Sequence, residues 1–151
     1  MSGYEVQSKT FDALKALYDG QLTTLRSLSD RSFSTTLQAV ALDLAVVAGL
    51  VASKVRLSHQ GEAIAVTLLV IFHGLIAFYL VSKARAHHRE KERLVAVQLC
   101  LAELADVESK FRATPAPSFT RSFLGGSGIF VAAVLLAGAC AVAAVRVGLQ
   151  A

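Results

Sequence analysis

The sequence predicts an all-α integral membrane protein with three transmembrane helices and two amphipathic cytoplasmic helices. Three apolar blocks, residues 37–53, 63–81 and 128–145, contain only two acidic, basic or histidine side chains between them, Asp43 and His73. Each block approaches the ~20 residues with which an α-helix crosses a ~30 Å hydrocarbon layer. Lys and Arg are distributed unevenly over the intervening segments, as orientation in a bilayer requires. The composition agrees: 54% apolar and 17% charged residues, with a mean hydropathy of +0.56. A soluble fold would have too little polar chain left to cover three such helices, and 151 residues suffice for one domain.

Residues 1–33 are expected to form the first cytoplasmic helix. Tyr4, Phe11, Tyr18 and Leu25 recur every seven residues, with Leu14 and Leu28 on the companion positions and Gln7 and Gln21 on the remaining ones. Glu5 and Lys9 form a favourable i,i+4 pair, and Gly20 weakens the middle by up to ~1 kcal/mol without breaking it. Ser29-Asp30-Arg31-Ser32 suggests a hinge or cap before the first span.

The first span covers 34–54, with Ser34, Thr35 and Thr36 supplying its first turn. The chain before it is polar, so this span is expected to act as an uncleaved signal anchor. A short outer loop, 55–61, leads to the second span at 62–83. Lys54 and Arg56 are placed to snorkel to headgroups, with Glu62 as a partner, and Arg146 to do so for the third span. Tyr79 reads as an interfacial anchor.

A second cytoplasmic helix is expected over 84–113. Leu94 and Leu101 form one heptad row, and Val97, Leu104 and Phe111 the other; Asp106–Lys110 and Glu108–Arg112 are i,i+4 pairs. No Gly or Pro interrupts 75–112, so the helix can continue from the second span until Pro115 and Pro117 stop it. Standing upright it would rise ~43 Å, and the return segment spans at most ~50 Å. An upright helix and one bent near His87–Arg89 both satisfy that geometry. Residues 114–127 form a Pro/Gly linker, with Gly125-Gly126-Ser127-Gly128 as a flexible lead-in, and 128–149 form the third span.

Orientation follows from the basic residues. Lys9, Lys15, Arg26 and Arg31 precede the first span, and Lys83, Arg85, Arg89, Lys91, Arg93, Lys110, Arg112 and Arg121 lie between the second and third. Only Lys54, Arg56 and Arg146 lie on the other side, which places the N-terminus in the cytoplasm and the C-terminus outside the plasma (inner) membrane. The cluster Lys83, Arg85, Arg89, Lys91 and Arg93 suits a membrane surface, where each charge gains ~1 kcal/mol from anionic headgroups. No aromatic residue is interleaved with it to stack on bases, so nucleic acid is not expected.

Within the spans, Ala41, Ala45 and Gly49 repeat at four-residue spacing, as do Ala133, Ala137 and Ala141. Such rows let helix backbones approach, within one chain or between copies. Phe11, Tyr18, Leu25, Leu94, Leu101 and Leu104 mark further packing or coiled-coil faces. Asp43 and His73 each fall ~12–14 Å from the cytoplasmic side of antiparallel spans. An unpaired ionised Asp at that depth would cost ~3 kcal/mol or more, so the two are expected to pair. The pair reads as a structural hydrogen bond, or as the lining of a pore or proton relay.

Cys100 and Cys140 fall in different environments and should stay unpaired. His59, His87 and His88 are expected in solvated segments, so no metal site is expected and no cofactor is implied. The sequence has no G-x-S-x-G, H-E-x-x-H or C-x-x-C, and its Gly run lacks the Lys-Ser/Thr of a phosphate loop. The expected function is therefore non-enzymatic: a homo-oligomer, or a scaffold or accessory subunit of a membrane complex, with the lipid bilayer, other copies or another membrane subunit as partners. The alternative is an oligomeric pore or ion pathway lined by Asp43 and His73. In architecture alone, over residues 1–112 and with no shared residue motif, the chain resembles the two-span SLATT effectors of bacterial defence systems. That resemblance implies oligomerisation into pores, and the third span departs from it.

Overall fold

The computed structural model describes residues 3–53, 58–105 and 115–148, and all regular structure among them is helical. Helix α1 spans Gly3–Ser53, α2 spans His59–Leu104 and α3 spans Phe119–Ser122. A π-helical turn, Phe123–Ser127, then leads into α4, Gly128–Gly148. Three of the helices, α1, α2 and α4, are long and apolar enough to cross a membrane.

The hinge or cap expected at Ser29–Ser32 is absent, because α1 passes through it unbroken. Ser, Asp and Arg are at worst modest helix formers, costing up to ~0.7 kcal/mol per residue, and strong helical sequence on both sides outweighs that. Hydroxyls within the helices turn back onto their own backbone. Thr36 donates to the Ser32 carbonyl at 2.9 Å, Thr67 to Ala63 at 2.7 Å and Ser82 to Phe78 at 2.9 Å, so each hydroxyl proton is satisfied without an outside partner.

Ser58 caps α2: its Oγ accepts the Gly61 N–H at 3.2 Å and its carbonyl accepts the Glu62 N–H at 2.9 Å. Glu62 meets His59 at 3.6 Å. The Lys54 and Arg56 partners foreseen for it lie outside the described residues, as do the side chains of Tyr4, Glu5 and Gln7. The helix α2 runs without interruption past residue 83 and through His87–Arg89. Beyond Ala105 the chain to residue 114 lies outside the description, and with it Phe111, the pairs Asp106–Lys110 and Glu108–Arg112, and the rest of the helix expected to 113.

The expected linker is helical in its second half. Pro115 and Pro117 disfavour an earlier start, and the Ser122 N–H donates to the Ser118 carbonyl at 2.9 Å to open α3. The glycine run adopts the wide π turn in place of a flexible lead-in. Gly128 is required there: a Cβ at this position would lie 2.8 Å from the Phe123 carbonyl oxygen and 3.3 Å from the Phe123 ring.

The chain divides into two compact units. In the unit formed by residues 31–84 and 123–151, Ala39, Leu80 and Val134 are the buried core, packed by Ile76, Phe130 and Val131. Phe33 meets Phe130 edge-on, with centroids 6.5 Å apart. In the unit formed by residues 1–30 and 85–122, Leu25 and Val97 are buried and Gln98 Nε2 donates to the Tyr18 hydroxyl at 3.3 Å. There the His88 ring lies edge-on to Phe119 at 5.5 Å, and His88 Nε2 faces Glu92 at 3.3 Å.

Gly128→Ala should lower stability by about 1–3 kcal/mol, since backbone must shift to admit the methyl. Gly126→Ala, where nothing lies within 4 Å, should be neutral or gain up to ~1 kcal/mol. Thermal unfolding in detergent would compare them; equal stabilities would refute the requirement at Gly128.

Candidate functional site

The unit of residues 31–84 and 123–151 brings two buried ionisable side chains from different helices together in an apolar setting. Asp43 on α1 is 4% exposed and His73 on α2 is 5% exposed. Along residues 32–53, 63–82 and 128–145 the sequence has no other Asp or Glu, no Lys or Arg, and no other His. Each side chain therefore has the other as its single acidic or basic counterpart on these segments.

Helix periodicity brings them together. On α1 the buried positions Thr36, Ala39 and Asp43 advance by three and four residues, and on α2 His73 and Leu80 are seven apart. Those steps keep each set on one face, so the faces that bury Ala39 and Leu80 also bury the pair. Asp43 Oδ2 lies 2.9 Å from His73 Nε2. The other ring nitrogen, Nδ1, lies 2.7 Å from the carbonyl of Leu69 one turn back on α2. Both ring nitrogens are thereby engaged, while Asp43 Oδ1 is buried with no protein donor.

A third helix completes the site through the absence of a side chain. At Gly138 of α4 a Cβ would lie 2.5 Å from His73 Cδ2 and 2.6 Å from Cγ. The imidazole thus rests on bare α4 backbone, held also by an edge-on contact with Phe72 at 5.3 Å. An apolar cleft of about 390 Å³ adjoins His73 and Gly138, lined by Leu69, Val70, Leu135 and Val142 among others. Gly138 was not singled out from sequence. It is one glycine among many small residues in α4, and its role depends on a ring 65 positions earlier.

The remaining sequence-selected residues are not gathered at this site. Ala41, Ala45 and Gly49 are exposed, whereas Ala133 and Ala137 are half-buried and Ala141 is fully buried. Phe11 is exposed, Leu25 is buried, and Tyr18, Leu94, Leu101 and Leu104 are half-buried. Of the basic cluster, Arg85, Arg89 and Arg93 are exposed and Lys91 is half-buried. Lys83 Nζ lies 5.3 Å from the centre of the Tyr79 ring, and Arg93 pairs with Glu90 at 2.8 Å. Arg146 is exposed in the last turn of α4.

His59 is solvated, but His87 and His88 are half-buried, a departure from the expectation that all three would be exposed. Burial holds the His87 pKa below its ordinary value, and the charges of Lys91 and His88 lower it further. Cys100 and Cys140 are both free. Among the described residues no group of three or more His, Cys, Asp or Glu side chains is arranged to hold a metal ion. No family model matches the chain, and no curated protein or solved structure shows detectable similarity to it.

Gly138→Ala should displace the His73 ring and cost about 1–3 kcal/mol, the range for stranding a buried hydrogen-bonding group. Gly74→Ala, with open space around it, should have no such effect. In a His73→Ala background the Gly138→Ala cost should largely vanish, a non-additivity measurable by unfolding in detergent. Additive costs would show that Gly138 does not act through the ring.

Proposed function

We propose that this chain is a non-enzymatic integral membrane protein that self-associates as a scaffold or accessory subunit, with Asp43–His73 as the polar clamp of its spans. The observation that carries the reading is the pattern of exposure on the long apolar helices. Their most apolar windows are only 17%, 11% and 22% buried, and outward positions include Leu37 and Leu44 on α1, Leu68 and Phe78 on α2, and Leu136 on α4. Water penalises such extended apolar surface, and lipid does not.

One outward face differs from the rest. Ala41 and Ala45 each lie two positions from Asp43, about 200° around an α-helix from the buried face. With Gly49 they form a row of small, exposed residues. In lipid, where apolar burial drives no association, such a row supports close contact with another helix. The four to five per cent exposure of Asp43 and His73 within a single chain favours a clamp over the lining of a lumen.

The proposed location is the plasma (inner) membrane, with the N-terminus cytoplasmic and the C-terminus outside, from the twelve-to-three distribution of basic residues. The exposed Arg85 and Arg89 then face anionic headgroups just beyond the second span.

Self-association should be visible as disulfide-linked dimer when Ala45→Cys is introduced into a Cys100→Ser, Cys140→Ser background, and Ala41→Leu should weaken it. Native mass spectrometry that found only the 16.0 kDa monomer would overturn the proposal. For orientation, a membrane-impermeant maleimide applied to intact cells should label Ala151→Cys and spare Ser8→Cys in the same background. The reverse pattern would invert the topology.

A further inference from the structure

The hydrogen-bond roles at Asp43 and His73 restrict where their protons can sit. A carbonyl oxygen only accepts, so the 2.7 Å contact between His73 Nδ1 and the Leu69 carbonyl requires a hydrogen on Nδ1. Three arrangements then remain for the 2.9 Å contact between Nε2 and Asp43 Oδ2. A carboxylate facing a neutral imidazole would set two lone pairs against each other and is excluded. An imidazolium can donate to a carboxylate, or a carboxylic acid Oδ2–H can donate to a neutral Nε2. In both, one proton is shared across the contact and the pair is uncharged as a whole.

The surroundings separate these two. An ionised carboxylate has about four acceptor positions to satisfy, and burying it with few donors costs several kcal/mol. Here the protein supplies one donor, and Oδ1 is buried without any. A neutral acid leaves only a carbonyl-type oxygen short of a partner, a smaller loss. The groups facing the pair offer the charged form no help. On α2 the nearest acidic and basic residues are Glu62 and Lys83, on α1 they are Asp30 and Arg31, twelve or more positions before Asp43, with none in the described positions after it, and on α4 the first is Arg146. Tyr79 and Cys140, the other titratable side chains of these stretches, are exposed, and the His73 ring rests on the bare backbone at Gly138.

We propose that Asp43 and His73 form a proton-binding site, with one exchangeable proton held on Asp43 Oδ2 and donated to Nε2 of neutral His73. Removing that proton leaves two lone pairs in opposition across the contact. Adding a second, which only Nε2 of His73 can take, leaves an uncompensated buried positive charge on the imidazolium. The clamp is therefore intact in its one-proton form and weakened on both sides of it. This inference rests on the membrane reading above and not on self-association, so a monomeric protein would leave it standing.

The full-length protein in liposomes, with ¹³C-carboxyl aspartate, provides the infrared test at neutral pH. The carbonyl stretch of a protonated, isotope-labelled carboxylic acid should be present and should disappear in Asp43→Asn. A second measurement avoids reliance on that variant: His59→Gln, His87→Gln and His88→Gln together leave His73 as the only histidine for ¹⁵N NMR. One protonated and one bare ring nitrogen are expected. Carboxylate bands alone, or two protonated nitrogens, would establish an ion pair and overturn the proposal.

Discussion

A single hydrogen bond between Asp43 and His73 ties α1 to α2, and its surroundings make it consequential. In water the contact would be worth about 1 kcal/mol or less, because both groups have ready alternatives. Among apolar side chains neither has another side-chain partner, and separating them would strand two polar groups. The bond therefore acts chiefly by penalising every other register of the two helices. Leu69 extends this constraint by fixing the ring's rotation from within α2. Gly138 extends it to α4, because the imidazole fits only where α4 presents no side chain.

Hydrophobic packing around the pair is sparse. Ala39, Leu80 and Val134 form a small core, and among the described residues Val134 is the largest fully buried side chain. In a soluble protein so little apolar burial would not offset the ordering of long helices. In lipid the backbone is driven into helix regardless of side-chain burial, since unsatisfied peptide groups are costly there. If the chain lies in lipid, as proposed, packing has only to choose among arrangements of helices already formed, a task suited to one directional bond, an edge-on Phe33–Phe130 contact and two well-placed glycines.

The long apolar helices were legible in the sequence because block length and charge depletion are strong, local signals. The contact between Asp43 and His73 was legible because the two stand at similar residue counts from charged boundaries on successive apolar blocks. Other features resisted for identifiable reasons. Ser29–Ser32 carries capping residue types, yet a cap forms only where the chain turns away, and nothing in α1 makes it turn. The glycine run near residue 125 reads as a loop because glycine permits many conformations; in the π turn it adopts, the Phe123 carbonyl comes so close to position 128 that a side chain there would clash. Gly138 carries no local signal, since its steric requirement is set by a residue on another helix. His88 falls in a segment expected to be solvated, but Phe119 supplies part of its cover from a segment expected to be a linker.

The spacing of the pair along the chain also bears on how the protein is made. Asp43 and His73 are 30 residues apart. At roughly 5–20 residues per second, the histidine leaves the ribosome about 2–6 seconds after the aspartate. If α1 and α2 are membrane spans, as proposed, α1 would enter the bilayer in that interval with its carboxyl group unaccompanied, at a cost near 3 kcal/mol on insertion scales. Arrival of the second span ends this vulnerable period, and Gly138 follows only after a further 65 residues. Under the proposed membrane reading, chain order favours the α1–α2 contact closing first, with α4 following onto a ring already oriented. On that reading, a delay in synthesis of α2 would leave the acid of α1 in the bilayer before its partner exists.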